Sequence, residues 1–264
     1  MIKTALITGA SAGLGEQFAR LFAKDKISLV LIARREHRLQ QLKRELETSF
    51  GIKIDVLPLD LTLPDSIRRV VEFLERRQIE IEYLVNNAGF GQSGSFSDIS
   101  LKNTLGQIDL NIRSLTEITH QLLPTMVRNK SGRILNVGST AGDQPGPFMS
   151  VYYASKAYVN SFSEALHYEL KGTGVTVTLS CPGPTLTEFV EVANVKNRKL
   201  FQMNAMPADV VARQAYRAMM KGTRRITHGG RNKIASQISK LSPRSITLKV
   251  VAQLNSSKTD AHSS

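Results

Sequence analysis

Apolar positions along the chain follow two periods. Short runs apolar on both faces read as strands covered on both sides: Thr4–Thr8 (TALIT), Ser28–Ala33 (SLVLIA), Lys53–Leu57, Tyr83–Val85, Gly132–Val137 and Val175–Ser180 (VTVTLS). Between them, stretches with a period near 3.6 read as helices, around Glu16–Ala23, Glu36–Ser49, Ser66–Arg77, Leu101–Val127 and Val151–Leu170. Arg224–Thr227 is a short candidate for a seventh strand. Strands alternating with helices imply right-handed crossovers and an α/β chain, a doubly wound parallel sheet of about seven strands with helices on both faces. Ligands in such sheets bind beyond the carboxyl ends of the strands. The segments that carry chemistry in this chain follow its first, fourth, fifth and sixth strands.

After the first strand comes Thr8-Gly9-Ala10-Ser11-Ala12-Gly13-Leu14-Gly15, which opens the first helix. Glycines let the backbone turn tightly and approach a pyrophosphate, and the helix start offers N–H groups and a positive dipole end. The spacing is G-x-x-x-G-x-G rather than the common G-x-G-x-x-G. Where the second strand ends, an acid would hold the ribose 2′-hydroxyl of NAD. Here stand Ala33, Arg34 and Arg35, with no acid before Glu36. A guanidinium pairs with a 2′-phosphate that a carboxylate would repel. The reading is NADP(H), with Arg34 the preferred phosphate ligand and Arg35 the alternative.

Tyr152-Tyr153-Ala154-Ser155-Lys156 lies near the start of a predicted helix, and the i, i+4 spacing puts Tyr152 and Lys156 on one face while Tyr153 points elsewhere. A free tyrosine, with a pKa of about 10, exchanges its proton poorly at neutral pH. A nearby ammonium favours the phenolate, and Lys156 is placed to provide it. Ser139 follows the fifth strand (ILNVGS) and could hold a substrate oxygen. Asn111 (DLNIRS) interrupts a helical stretch in which Asn is unfavourable, which calls for a reason.

Together these residues resemble the short-chain dehydrogenase/reductase family from Lys3 to about Gly183. The matching set is TGASAGLG at 8–15, Asp60-Leu61, Asn86-Asn87-Ala88-Gly89, Asn111, Ser139, Tyr152 with Lys156, and Pro182-Gly183. The resemblance implies a Rossmann-like fold and an NADP(H)-dependent exchange of a carbonyl and an alcohol. It implies Tyr152 as proton donor and acceptor, Ser139 as partner of the substrate oxygen, and Lys156 as the group that tunes the tyrosine and binds ribose. Asn111 would hold a water in the proton relay. Gly9, Ser11, Gly13, Leu14 and Gly15 would cradle the pyrophosphate, and Asp60 with Leu61 the adenine. Asn86, Ala88 and Gly89 would line the adenosine and ribose, and Pro182, Gly183 and Thr187 the nicotinamide. Alternatives are a 3-oxoacyl-thioester reductase and a non-catalytic NADP(H)-binding regulator, although a regulator of that kind usually lacks the Tyr or the Lys.

Composition narrows the remaining choices. One domain is expected over residues 1–255, with residues 256–264 a disordered tail. The apolar runs are too short to span a bilayer, which takes about 20 residues. A single cysteine, Cys181, excludes an intrachain disulfide, suits a reducing cytoplasm and is read as a small buried hydrophobe. His37, His120, His167, His228 and His262 show no metal-ligand spacing, so no metal is expected. Residues 185–206 are expected to form a substrate lid, as in the family, rich in Phe189, Val190, Val192, Val195, Leu200, Phe201, Met203 and Met206. With Phe90, Phe148 and Met149 they suit an apolar or amphipathic carbonyl or alcohol. The net charge is +13, and from Lys221 onward nine Lys/Arg stand against one acid. Within residues 230–255, Ile234, Ile238 and Leu241 recur among basic residues. Packing or an oligomer contact is preferred there, because the family forms dimers and tetramers, with peripheral contact to an anionic membrane as the alternative. Nucleic acid is not expected, since no aromatic stacking pattern accompanies the charge.

Overall fold

The computed structural model describes residues 3–193 and 205–256. Seven strands form one parallel sheet: β1 (Thr4–Thr8), β2 (Ser28–Ala33), β3 (Ile54–Pro58), β4 (Tyr83–Asn86), β5 (Gly132–Val137), β6 (Val175–Cys181) and β9 (Arg225–Thr227). Their spatial order, β3-β2-β1-β4-β5-β6-β9, reverses direction at β1 and β4. The crevice that opens at such a reversal is where this architecture binds ligands. The expected seven-stranded, doubly wound Rossmann-like sheet is the fold observed. The third strand runs one residue later than its apolar pattern suggested, because Pro58 still pairs with Ala33.

Apolar side chains on both faces of the strands need two helical layers. On one face α1 (Gly13–Lys24), α2 (Glu36–Phe50) and α8 (Ala208–Met220) close over Ile7, Leu29, Leu31, Val85 and Leu135. On the other, α3 (Ser66–Arg76), α5 (Leu115–Arg128) and the end of α6 (Ser150–Glu169) cover Leu6, Val30, Leu84, Ile134 and Val177. The long helical stretch is a helix α4 (Leu101–Ile108) that runs through a π-turn, Asp109–Ser114, into α5. The periodicity hid this break, since a π-turn adds one residue without changing composition.

Beyond β6 lie β7 (Thr185–Leu186) and α7 (Phe189–Val192), then β8 (Met206–Pro207), which pairs with β7 in a two-stranded sheet. Strands of two residues carry no period and went unread in the sequence. Of the lid positions, Val195, Leu200, Phe201 and Met203 lie outside the described residues, as does the tail from residue 257. The chain closes with α9 (Gly230–Leu241) and α10 (Arg244–Asn255), separated by Ser242-Pro243. No helix among the described residues is long and apolar enough to cross a membrane.

Candidate active site

The loops at the carboxyl ends of β1, β2, β4, β5 and β6 line one cleft of about 980 Å³. Its floor begins with the turn after β1. Gly9 and Gly13 adopt left-handed backbone angles. A Cβ on Gly9 would lie 2.9 Å from the Ala88 backbone, and one on Gly15 only 2.3 Å from the Gly9 carbonyl oxygen. Gly15 therefore serves close packing behind the turn and does not line the cleft, whereas Gly9, Ser11, Gly13 and Leu14 do. Ala12 caps α1 without a side-chain acceptor, so the first N–H groups of the helix face the cleft uncapped by the protein's side chains. The Thr8 hydroxyl accepts from the Asn87 and Ala88 N–H groups, and the Asn87 amide donates back to the Thr8 carbonyl. This stitch locks the β1 and β4 turns together.

At the end of β2 the two arginines differ. Arg34 is exposed on the rim of the cleft. Arg35 donates to Ser11 Oγ at 3.1 Å and to the Glu188 carboxylate at 2.7 Å, and Arg38 approaches the same carboxylate at 3.4 Å. The guanidinium neighbours hold the Glu188 carboxyl below the usual range, the Arg35 hydrogen bond having the largest effect. Ser11, Arg35 and Arg38 thus form an anion cradle occupied by a carboxylate of the chain itself. Nothing in the sequence pointed to Glu188, since 153 residues separate it from Arg35. Asp60 accepts from the Thr62 N–H and hydroxyl, and Asp60 and Leu61 line the cleft.

Asn86 departs from its expected place. Its side chain is buried beneath the cleft, donating to Thr119 and Asn136, and the lining residues are Asn87, Ala88 and Gly89. Strand alternation explains this, since neighbouring residues point to opposite sides.

Tyr152 and Lys156 both line the cleft, with the ammonium 5.9 Å from the phenol ring centroid. Tyr153, expected to point elsewhere, also borders the cleft, where its hydroxyl donates to Asn255. Lys156 Nζ donates to the Val137 carbonyl at 2.8 Å, and burial lowers the amine to about 8. Burial also pushes the Tyr152 hydroxyl well above the usual tyrosine value, with the Ser139 hydroxyl pulling it partly back. The expected lowering by Lys156 is absent in the protein alone, where burial has the largest effect on the tyrosine.

Ser139 is held at both ends: its N–H donates to Asn160 Oδ1, the Asn160 amide donates to its carbonyl, and its hydroxyl accepts from the Ala141 N–H. Asn160 was missed in the sequence, although it lies one helical turn beyond Lys156 on the same face. The π-turn supplies the reason Asn111 demanded. It turns the amide inward, accepting from the Phe90 N–H and donating to the Phe90 carbonyl and to Ser155 Oγ. A Cβ on Gly89 would lie 3.0 Å from Asn111 Oδ1 and 3.5 Å from Lys156 Nζ, so these two polar groups flank the same bare backbone.

The substrate side is walled by Phe90, Met149 and Phe189, then by Ile238, Ile246 and Val251 of α9 and α10. The Phe189 ring lies 5.2 Å from that of Tyr152. Pro182, Gly183 and Thr187 also border the cleft, with Thr187 Oγ1 accepting from the Phe189 N–H. Asp143, four residues past Ser139, is buried and bound by Arg225 at 2.6 Å and by the Ser236 hydroxyl, with Lys240 at 3.5 Å. Burial alone would raise its carboxyl, but these donors together hold it below the usual range. Cys181 is fully buried, and burial pushes the thiol up to about 12, so it is no nucleophile.

A model of the short-chain dehydrogenase family matches residues 3–198. Sulfoacetaldehyde reductase 2 of Chromohalobacter salexigens is 40% identical over 71% of this chain and 74% of its own. Serine 3-dehydrogenase of Agrobacterium fabrum is 36% identical over 82% of this chain and 87% of its own. Among solved structures, a short-chain dehydrogenase from Sphingobium yanoikuyae in complex with NADPH superposes with a TM-score of 0.80 at 32% identity, covering 90% of this chain and 94% of that one.

Proposed function

The chain belongs to the short-chain dehydrogenase family and is an oxidoreductase acting on CH–OH groups with a nicotinamide cofactor, and from that premise we propose that it uses NADP(H) to interconvert an apolar or amphipathic carbonyl and its alcohol, with Tyr152 as proton donor and acceptor. The observation that carries the reading is the Ser11–Arg35–Arg38 cradle, which already pairs with an anion, on the same cleft as Tyr152 and the buried Lys156.

The residues fit the cofactor. Gly9, Ser11, Gly13 and Leu14 would meet the pyrophosphate, and Arg35 with Arg34 the 2′-phosphate. Asp60 and Leu61 would border the adenine, Ala88, Gly89 and Lys156 the riboses, and Pro182, Gly183 and Thr187 the nicotinamide. When bound, the cofactor supplies or accepts the hydride. In reduction the Tyr152 hydroxyl donates its proton to the carbonyl oxygen while the Ser139 hydroxyl hydrogen-bonds the same oxygen. In oxidation the tyrosine takes that proton back. Lys156 as an ammonium favours the phenolate that remains, and Asn111 keeps the Phe90 backbone and Ser155 in register behind them.

Two relatives carry the names of small polar substrates, but the family match ends at residue 198, whereas part of this chain's substrate wall comes from residues 235–254. Ile238, Ile246, Val250, Val251 and Leu254 in that wall, set among serines and a threonine, support a larger, amphipathic substrate. Titration of the protein with NADPH and NADH, read by reduced-nicotinamide fluorescence, tests the reading. NADPH is expected to bind at least tenfold tighter, about 1.4 kcal/mol. Equal affinity would remove the phosphate cradle from the argument, and binding of neither would overturn the proposal.

A further inference from the structure

Helices α9 and α10 bury little of themselves. In α9 the buried residue is Ser236, held by Asp143. Ile234, Ile238 and Leu241 lie on the opposite side at helical spacing and are 63%, 59% and 87% exposed. In α10 the buried residues are Thr247, Val251 and Asn255, while Ile246, Leu248 and Val250 are exposed. A pair of helices that keeps its polar residue inside and its largest apolar side chains outside marks a contact surface.

The charge identifies the partner. Between Gly230 and Asn255 the chain has five basic residues and no acid; Lys240 reaches Asp143, and Arg231, Lys233, Arg244 and Lys249 lie on the exposed surface. A second copy docked symmetrically through this face would set those cations against their own counterparts. Anionic phospholipid complements them, and the apolar side chains can enter the acyl boundary. The other exposed apolar stripe, Leu101, Leu105 and Ile108 on α4, runs into charges of both signs at Asp109 and Arg113, which suits a protein partner better.

The same helices also reach the active site. Ile238, Ile246 and Val250 are exposed and line the cleft, so the apolar surface runs from its mouth onto the outer side of α9 at Ile234 and Leu241. We propose that α9 and α10 seat the protein on an anionic bilayer surface, with the mouth of the cleft against the lipid. An apolar carbonyl or alcohol then reaches Tyr152 from the membrane; this last step rests on the function proposed above.

The test is co-sedimentation of the full chain with vesicles of phosphatidylcholine alone and with about 30% phosphatidylglycerol, at 0.1 M and 0.5 M salt, beside NADPH titration and measurement of oligomeric size. Binding is expected only to the anionic vesicles and is expected to fall at high salt as charges are screened. L241Q combined with K249E should weaken it at least tenfold, leaving NADPH affinity and oligomeric size unchanged. The inference is overturned by no binding to anionic vesicles, by equal binding to both compositions, or by a double variant that binds as wild type. A double variant that changes oligomeric size would assign the face to a second copy and overturn it too. Vesicle binding without NADPH binding would instead refute the function proposed above while leaving the docking surface standing.

Discussion

The two sides of the cleft are built by different means. On the cofactor side, short turns after β1, β2 and β4 are fixed by backbone conformation: glycines that no Cβ could replace and a Thr8–Asn87 stitch between adjacent strand ends. On the substrate side, segments that follow β6 are pinned by a few polar anchors, Asp143 to α9 and β9, and His228 to β6 and α8. The first side rests mainly on glycine backbone geometry, with side-chain ties such as Thr8–Asn87 added to it, and the second on side-chain ties between distant parts of the sequence. One side can therefore hold a constant cofactor while the other varies its wall.

The sharpest way to separate them is at their junction. Tyr152→Phe should lower turnover about a thousandfold, within the range for a lost general acid, and leave NADPH affinity unchanged by fluorescence titration. Retained turnover would remove Tyr152 from the proton path. Asp143→Asn should then loosen only the substrate side. It leaves Arg225 half-paired in a buried site, so a loss of about 3 kcal/mol is expected in urea unfolding, with NADPH affinity moved far less than stability. An equal loss of NADPH affinity would show that the two sides are not independent.

A pH series probes the second anchor. His228 is fully buried between Ser180 and Gln214, and burial lowers its pKa to about 4 against an ordinary 6.5. Above pH 6.5 the residue is neutral whether folded or unfolded. As pH falls from 6.5 towards 4, only the unfolded chain takes up the proton, so stability drops by up to about 3 kcal/mol. His228→Gln should flatten that part of the stability profile, and an unchanged profile would show that His228 is not the group responsible.

The smallest expected effect lies where the sides meet at the cradle. Glu188→Gln removes the carboxylate that pairs with Arg35 and should tighten NADPH binding about threefold to tenfold, within the ~0.5–1.5 kcal/mol of a net hydrogen bond. Arg35→Ala should weaken NADPH and leave NADH unmoved. If Arg34→Ala has the larger effect, the phosphate belongs to the rim arginine instead.

Much of the cofactor side is legible in the sequence. Apolar runs placed the seven strands of the sheet to within a residue or two, because strands buried on both faces admit few polar residues. The glycine turn and the Tyr152–Lys156 spacing also stood out, because local backbone geometry demands particular residue types at short range. The substrate side was far less legible. Its short strands have no period, and the π-turn at Asn111 has no composition of its own. On the cofactor side, Asn86 and Asn87 look alike until the strand sends one beneath the cleft and the other into it.

By itself, then, the sequence determined what short-range physics dictates: the alternation of strands and helices, the turn that admits a pyrophosphate, and the strongly basic end of the chain. Only the tertiary structure decided which partners meet across long separations. It brought Glu188 to Arg35 and Ser236 to Asp143, and it turned Ile234, Ile238 and Leu241 outward. A helical period tells which residues share a face. Which face the rest of the molecule covers depends on the space left by the other elements, and no local pattern records that.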